Sequence, residues 1–166
     1  MKKIVITIAV LLLAAFSPAT LIEVGNGSNL ANVTIEWSDG YVADFAVYFD
    51  VESVTGYDVM ALINDEVDAV TIVFQNYGTV ETPSWFLDGI TLGDHSNSGY
   101  GGGEDWWHQW VKVSDGGWQW GYGMSTTIMT DGDSQAFIYG RAGAPVPEPL
   151  TFALLGAGML LVRKRK

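Results

Sequence analysis

VTIEWSDGYVADFAVYFDV, residues 33–51, is the stretch from which the architecture is read. Two runs rich in β-branched and aromatic residues, 33–37 (VTIEW) and 41–51 (YVADFAVYFDV), flank the break Ser38-Asp39-Gly40. Such side chains are stiff at χ1 and pack well on a pleated surface, and a short Asp-Gly break turns the chain back on itself. The stretch therefore predicts a β-hairpin. Behind it the period changes. In 55–66 the apolar residues Val59, Leu62 and Ile63 recur at helical spacing, and Thr55 precedes them with a hydroxyl able to cap free N–H groups. One short amphipathic helix is expected there.

Strand-like runs follow at 69–77, 84–92, 106–113, 118–122 and 134–139, with turns at Ser114-Asp115-Gly116-Gly117 and Asp131-Gly132-Asp133. The expected fold class is mostly β (α+β), a small antiparallel β-rich domain with one short helix. Residues 93–103 (GDHSNSGYGGG) carry five glycines and little that can pack, and read as a surface loop.

The Trp-rich hairpin is the most unusual feature. Along a strand Trp106, His108, Trp110 and Lys112 point one way, and Trp107, Gln109, Val111 and Val113 the other. An even-length turn pairs Val113 with Trp118 and Val111 with Trp120, which adds both tryptophans to the Trp107 face and makes that face the core. The opposite face then displays Trp106, His108 and Trp110 beside Lys112 and Gln119. Flat rings flanked by hydrogen-bonding groups suit a sugar face or a planar ligand, because each ring offers a large contact area with few rotors to freeze. The same aromatics would equally serve a strand covered on both faces. The candidate contact residues are Trp106, Trp110, Trp85 and His108.

The 166 residues include no Cys, which excludes a disulfide framework, a thiolate zinc site, a cysteine nucleophile and an acylated lipoprotein cysteine. A hydrophobic fraction of 48% and an aromatic fraction of 13% are too rich for a disordered chain. Six of the eight basic residues are terminal, and between Ile22 and Pro145 only Lys112 and Arg141 face eighteen acidic residues, a net charge of −16. Such a surface repels a polyanion, so no nucleic acid partner is expected.

The two ends read as addresses. Lys2 and Lys3 precede an apolar run at 4–16, and Ser17-Pro18-Ala19 puts small residues before a cut after Ala19, so 1–19 reads as a secretory signal peptide. Residues 20–140 form the acidic exported domain and 141–146 a linker of small residues. In the last segment, 147–166, an uncharged run at 150–162 follows Pro147-Glu148-Pro149 and precedes Arg163-Lys164-Arg165-Lys166. The run is shorter than the ~20 apolar residues that cross ~30 Å of hydrocarbon. Its basic end stays cytoplasmic by the positive-inside bias, which leaves the acidic domain outside, as the signal peptide independently requires.

Pro147-Glu148-Pro149, the apolar segment with Gly156 and Gly158, and the terminal basic cluster together resemble the PEP-CTERM sorting signal of Gram-negative bacteria that make extracellular polysaccharide. The resemblance implies a transmembrane-type sorting helix recognised and removed by exosortase, with Pro147, Glu148, Pro149, Arg163, Lys164 and Arg165 as its motif. It also implies a transient stay in the inner membrane after the secretion machinery, then the cell surface or exopolymer matrix. A plain C-terminal membrane anchor is the alternative.

A second resemblance spans 54–140. The helix Tyr57-Asp58-Val59-Met60-Ala61-Leu62, the turn Asn76-Tyr77-Gly78, the strand end Leu87-Asp88-Gly89-Ile90, Trp106-Trp107-x-x-Trp110 and Asp131-Gly132-Asp133 are similar to the transcobalamin-like C-terminal domain family. That resemblance implies a small β-rich fold with one helix, some members of which form one wall of a cobalamin site.

Enzyme signatures are missing: no GxSxG elbow, HExxH, P-loop or strand-borne GxGxxG occurs. Carboxylates such as Asp44 and Asp50, or Asp65 and Glu66, would form a glycosidase pair only if space brought them together. Asp94-His95 and Glu104-Asp105-x-x-His108 would bind a metal only by converging, and no metal or cofactor is expected. The leading expectation is a non-enzymatic exported protein of the envelope or exopolymer matrix, structural or glycan-associated, with exopolysaccharide as a partner. A small-ligand, cobalamin-like carrier and a polysaccharide hydrolase are the alternatives.

Overall fold

The computed structural model describes residues 20–145. The signal peptide at 1–19 and the sorting segment at 147–166 lie outside the described residues.

The hairpin forms as expected. Strand β2 (Asn29–Glu36) and strand β3 (Val42–Phe49) pair antiparallel from Asn29–Phe49 to Glu36–Val42. The break closes with Gly40 donating to the Trp37 carbonyl (3.0 Å), Gly40 being at φ +83°, where a Cβ is disfavoured. Alternation sends Ala31, Val33 and Ile35 of β2 and Ala43, Phe45, Val47 and Phe49 of β3 into the core.

Strand β1 (Thr20–Gly25) lies beside β3, and strands β8 (Trp107–Lys112), β9 (Gln119–Trp120) and β11 (Ser134–Tyr139) complete a six-stranded sheet in the order β1-β3-β2-β11-β8-β9. The sheet is mixed, which corrects the antiparallel expectation: β1 runs parallel to β3, and β11 parallel to β2. Both parallel pairs join segments that no tight turn connects, and no local turn signal reveals such a pairing. Helix α1 (Gly56–Glu66) carries the expected cap. The Thr55 hydroxyl accepts from the Asp58 N–H (3.1 Å) and the Asp58 carboxylate accepts from the Thr55 N–H (2.9 Å), a reciprocal capping box.

A second sheet consists of β5 (Val70–Asn76), β6 (Trp85–Leu92) and β7 (His95–Ser98), and β4 (Val54–Thr55) pairs with β10 (Ile128–Met129) as a two-residue ribbon. Strand β7 occupies what reads as loop in 93–103. Its residues, His-Ser-Asn-Ser, carry no apolar alternation, and its place is secured by main-chain pairing with β6 and by an Asn97–Ser38 side-chain bond of 2.9 Å. One core joins the inner face of the large sheet to Val59, Met60 and Ile63 of α1, Val70 and Ile72 of β5, and Ile90 and Leu92 of β6. Helix and small sheet thus cover the same face of the large sheet. The Trp37 indole is buried in that core and donates to the Ile90 carbonyl (3.1 Å).

Linker residue Arg141 is tied to the domain. Its guanidinium forks onto Glu36, Nε to Oε1 at 3.0 Å and Nη2 to Oε2 at 2.6 Å.

Candidate functional site

The register of the Trp-rich hairpin differs from the expected one. Trp110 pairs with Trp120 and Val111 with Gln119, one residue away from the pairing of Val111 with Trp120. A one-residue slip turns every side chain of the second strand over. Trp120 therefore leaves the core face and joins Trp106, His108 and Trp110 on the outer face, while Trp118 is half-buried in the loop. Buried Asp133 holds the chain just beyond β8. Its carboxylate accepts from the Ser114 N–H (2.9 Å) and from the Thr130 N–H and hydroxyl (2.8 Å each). Ser114, at φ +46°, is thereby tied to the 130–133 turn.

Trp106 and Trp120 now close over His108, with ring centroids 3.8 and 5.4 Å from the imidazole. His108 is 1% exposed and its Nε2 meets the Glu104 carbonyl at 3.2 Å. It is thus roofed by aromatic rings rather than offered as a contact. Trp110 is half-buried, edge-on to Trp120 at 5.1 Å. Trp85 lies elsewhere, stacked on Tyr57 of α1 at 5.0 Å and packed against the core.

Of the four candidate residues, only Trp106 lines the aromatic-rimmed cleft, a concavity of about 360 Å³ between β6 and the start of β8. Its floor is built from the inner face of the large sheet by Trp107, Gln109 and Phe137, all buried. Its rim is aromatic: Tyr77 after β5, Phe86 on β6, Tyr100 after β7, Trp106, and Trp120 and Tyr122 at β9. Tyr77, Phe86, Tyr100, Trp120 and Tyr122 are all the exposed aromatic residues among the described residues, and every one lines this cleft. Exposed apolar side chains scattered singly mean little, whereas a contiguous set in a concavity marks a binding surface.

The five rim residues other than Trp106 were missed from sequence, although a signal was present. Tyr77, Tyr100 and Tyr122 each adjoin glycine, in Tyr77-Gly78, Gly99-Tyr100-Gly101 and Gly121-Tyr122-Gly123. A large ring beside a residue without a side chain has fewer local neighbours to pack on, which favours its display.

Polar groups fix the cleft's shape. Gln109, 8% exposed, accepts from the Gly123 N–H (3.0 Å) and donates to the Thr127 hydroxyl (3.2 Å), which holds the loop bearing Tyr122. Gly121 is needed there, because an added Cβ would lie 2.7 Å from the Gln109 side chain. Three of the four buried side-chain polar atoms without a partner among the described residues, Trp107 Nε1, His108 Nδ1 and Trp110 Nε1, belong to β8. Unpaired buried polar atoms cost stability, and natural folds tolerate them most where function outweighs it.

The two histidines do not converge. His95 Nδ1 meets Asp39 Oδ2 at 2.7 Å with its ring stacked on Tyr41 at 3.7 Å, while His108 faces Glu104. No group of three or more His, Asp or Glu suited to a metal occurs among the described residues. Asp39 is held below its ordinary pKa, first by the hydrogen bond from His95 and then by the Tyr41 N–H. No helix among the described residues is long and apolar enough to cross a membrane.

Compared with known protein families, curated proteins and solved structures, the chain has no match.

Proposed function

We propose that this chain is an exported, non-enzymatic protein whose acidic β-rich domain binds glycan in the aromatic cleft, outside the inner membrane. The observation that carries the reading is the gathering of all exposed aromatic residues of the described domain at one concavity. Rings displayed around a groove hold sugars through their apolar C–H faces, and Gln75 and Asp88 supply polar atoms at the same place. A hydrolase is favoured less, since glycosidases pair two carboxylates and Asp88 is the one carboxylate lining the cleft.

Delivery follows from the ends. The secretion machinery takes residues 1–19, and exosortase recognises Pro147, Glu148, Pro149 and the basic cluster before the protein passes to the cell surface or matrix.

The test has two parts. Intact mass of the protein from membrane, periplasmic and matrix fractions is expected to show loss of both ends in the matrix form. Affinity electrophoresis through gels containing the matrix polysaccharide is expected to retard the protein, and the Tyr100→Ala variant less. Full mobility of the unaltered protein in every polysaccharide tested sinks the glycan role. Retention of an intact C-terminus in the inner membrane sinks the sorting role. Capture of a small planar ligand without any glycan retardation would favour the carrier reading.

A further inference from the structure

Asp88 is the one charged residue lining the aromatic cleft, and a defect in strand pairing places it there. Val73 pairs with Gly89 and the next residue, Phe74, with Leu87, so Asp88 is the extra residue of a β-bulge in β6. Bulges re-aim side chains, and here the main chain is held by the Gly99 N–H donating to the Asp88 carbonyl at 2.7 Å. Asp88 is half-buried, and among the described residues its carboxylate receives no hydrogen bond and no ion pair. A carboxylate partly withdrawn from water without a partner is a strong site for a cation or a charged donor.

The surroundings add no positive charge. Arg141 is forked onto Glu36, Lys112 lines a separate small pocket, and neither lines the cleft. The rim consists of π-faces, whose quadrupoles also favour cations. The net charge of −16 between Ile22 and Pro145 raises the local concentration of cations and repels uronic or sulfated sugars.

We propose that the cleft selects glycan units bearing a free, protonated amine, as in the amino sugars of a deacetylated exopolymer, with Asp88 as the specificity-determining residue. The amine donates to the Asp88 carboxylate while Tyr100 and Trp106 hold the ring face. This inference rests on the glycan-binding reading of the same cleft.

The test titrates the full-length chain with glucosamine oligomers and with N-acetylated oligomers of equal length, following tryptophan fluorescence at mildly acidic pH. The amine form is expected to bind about tenfold tighter, the scale of one desolvated charged contact. The preference should vanish in Asp88→Asn, which keeps the shape of the side chain. It should persist in Asp115→Asn, which removes the same charge from a loop outside the cleft. Equal losses in both variants, or a preference that survives Asp88→Asn, overturn the proposal in favour of general charge attraction. Equal or tighter binding of the acetylated form overturns it while the glycan reading stands. Binding of neither oligomer, together with unretarded migration in neutral glucan and matrix polysaccharide gels, overturns both.

Discussion

Trp110 and Trp120 stand directly opposite each other across the β8–β9 ladder, their rings edge to face at 5.1 Å and 76°. Directly opposed aromatics are among the cross-strand pairs that stabilise a ladder. This pair anchors a two-residue strand, β9, at the open edge of the sheet, and so fixes Trp120 over His108 and at the cleft rim.

Trp120→Ala is therefore expected to lower stability by about 1–2 kcal/mol, from lost ring contacts and an uncovered imidazole, and to weaken glycan binding. Tyr122→Ala separates the two effects. That ring is 87% exposed on the same rim, so its loss should leave the thermal midpoint unchanged and reduce binding alone. Thermal unfolding and affinity electrophoresis of both variants decide the matter.

Asp133→Ala removes a buried carboxylate that accepts three hydrogen bonds. Charge-assisted bonds to backbone N–H groups are the strong kind, and a loss of about 2–4 kcal/mol is expected in denaturant unfolding. Since these bonds also hold Ser114, the Trp120 environment should change, visible as a shift in tryptophan emission.

Gly56→Ala reverses the usual sign of a helix substitution. Alanine is favoured over glycine in helices by about 1 kcal/mol, yet a Cβ here would sit 2.7 Å from Gln135 Oε1. Gln135 is fully buried and donates to the Gly56 carbonyl at 3.1 Å, so it has little room to withdraw. Net destabilisation of about 1–3 kcal/mol is expected, measured by chemical denaturation.

Asp39 links stability to acid pH. Its pKa is lowered in the folded state, so the stability it confers is present above the ordinary carboxylate value and is lost as pH falls through the lower, folded one. The His95 hydrogen bond, the largest cause, breaks with it. Asp39→Asn should therefore be less stable than the unaltered protein at neutral pH, with the gap closing as pH falls below the ordinary carboxylate range. A gap independent of pH down to acid unfolding would show that the carboxylate charge contributes nothing.

The legible parts of the fold were those with local causes. Ser38-Asp39-Gly40 turns the chain because of what its own residues permit, and Thr55 caps α1 through a bond three residues away. The runs that became β5, β6, β8 and β11 declared themselves by their β-branched and aromatic residues between turn signals. Of the site, Trp106 was legible from strand alternation, whereas Trp85 and His108 were not separable from it. Nothing local shows that Tyr57 stacks on one, or that two indoles roof the other.

Residue type and period by themselves determined a mostly β domain with one helix, strongly acidic and free of cysteine. These properties depend on composition and on neighbours within a turn. Tertiary structure alone decided that β1 pairs in parallel with β3 and β11 with β2, that Trp120 faces outward, that Asp88 bulges into a cleft, and that five scattered aromatic residues meet there. Each of these depends on contacts between distant segments, such as Asp133 with Ser114 or Gly99 with Asp88, and a register that shifts by one residue turns over a whole face.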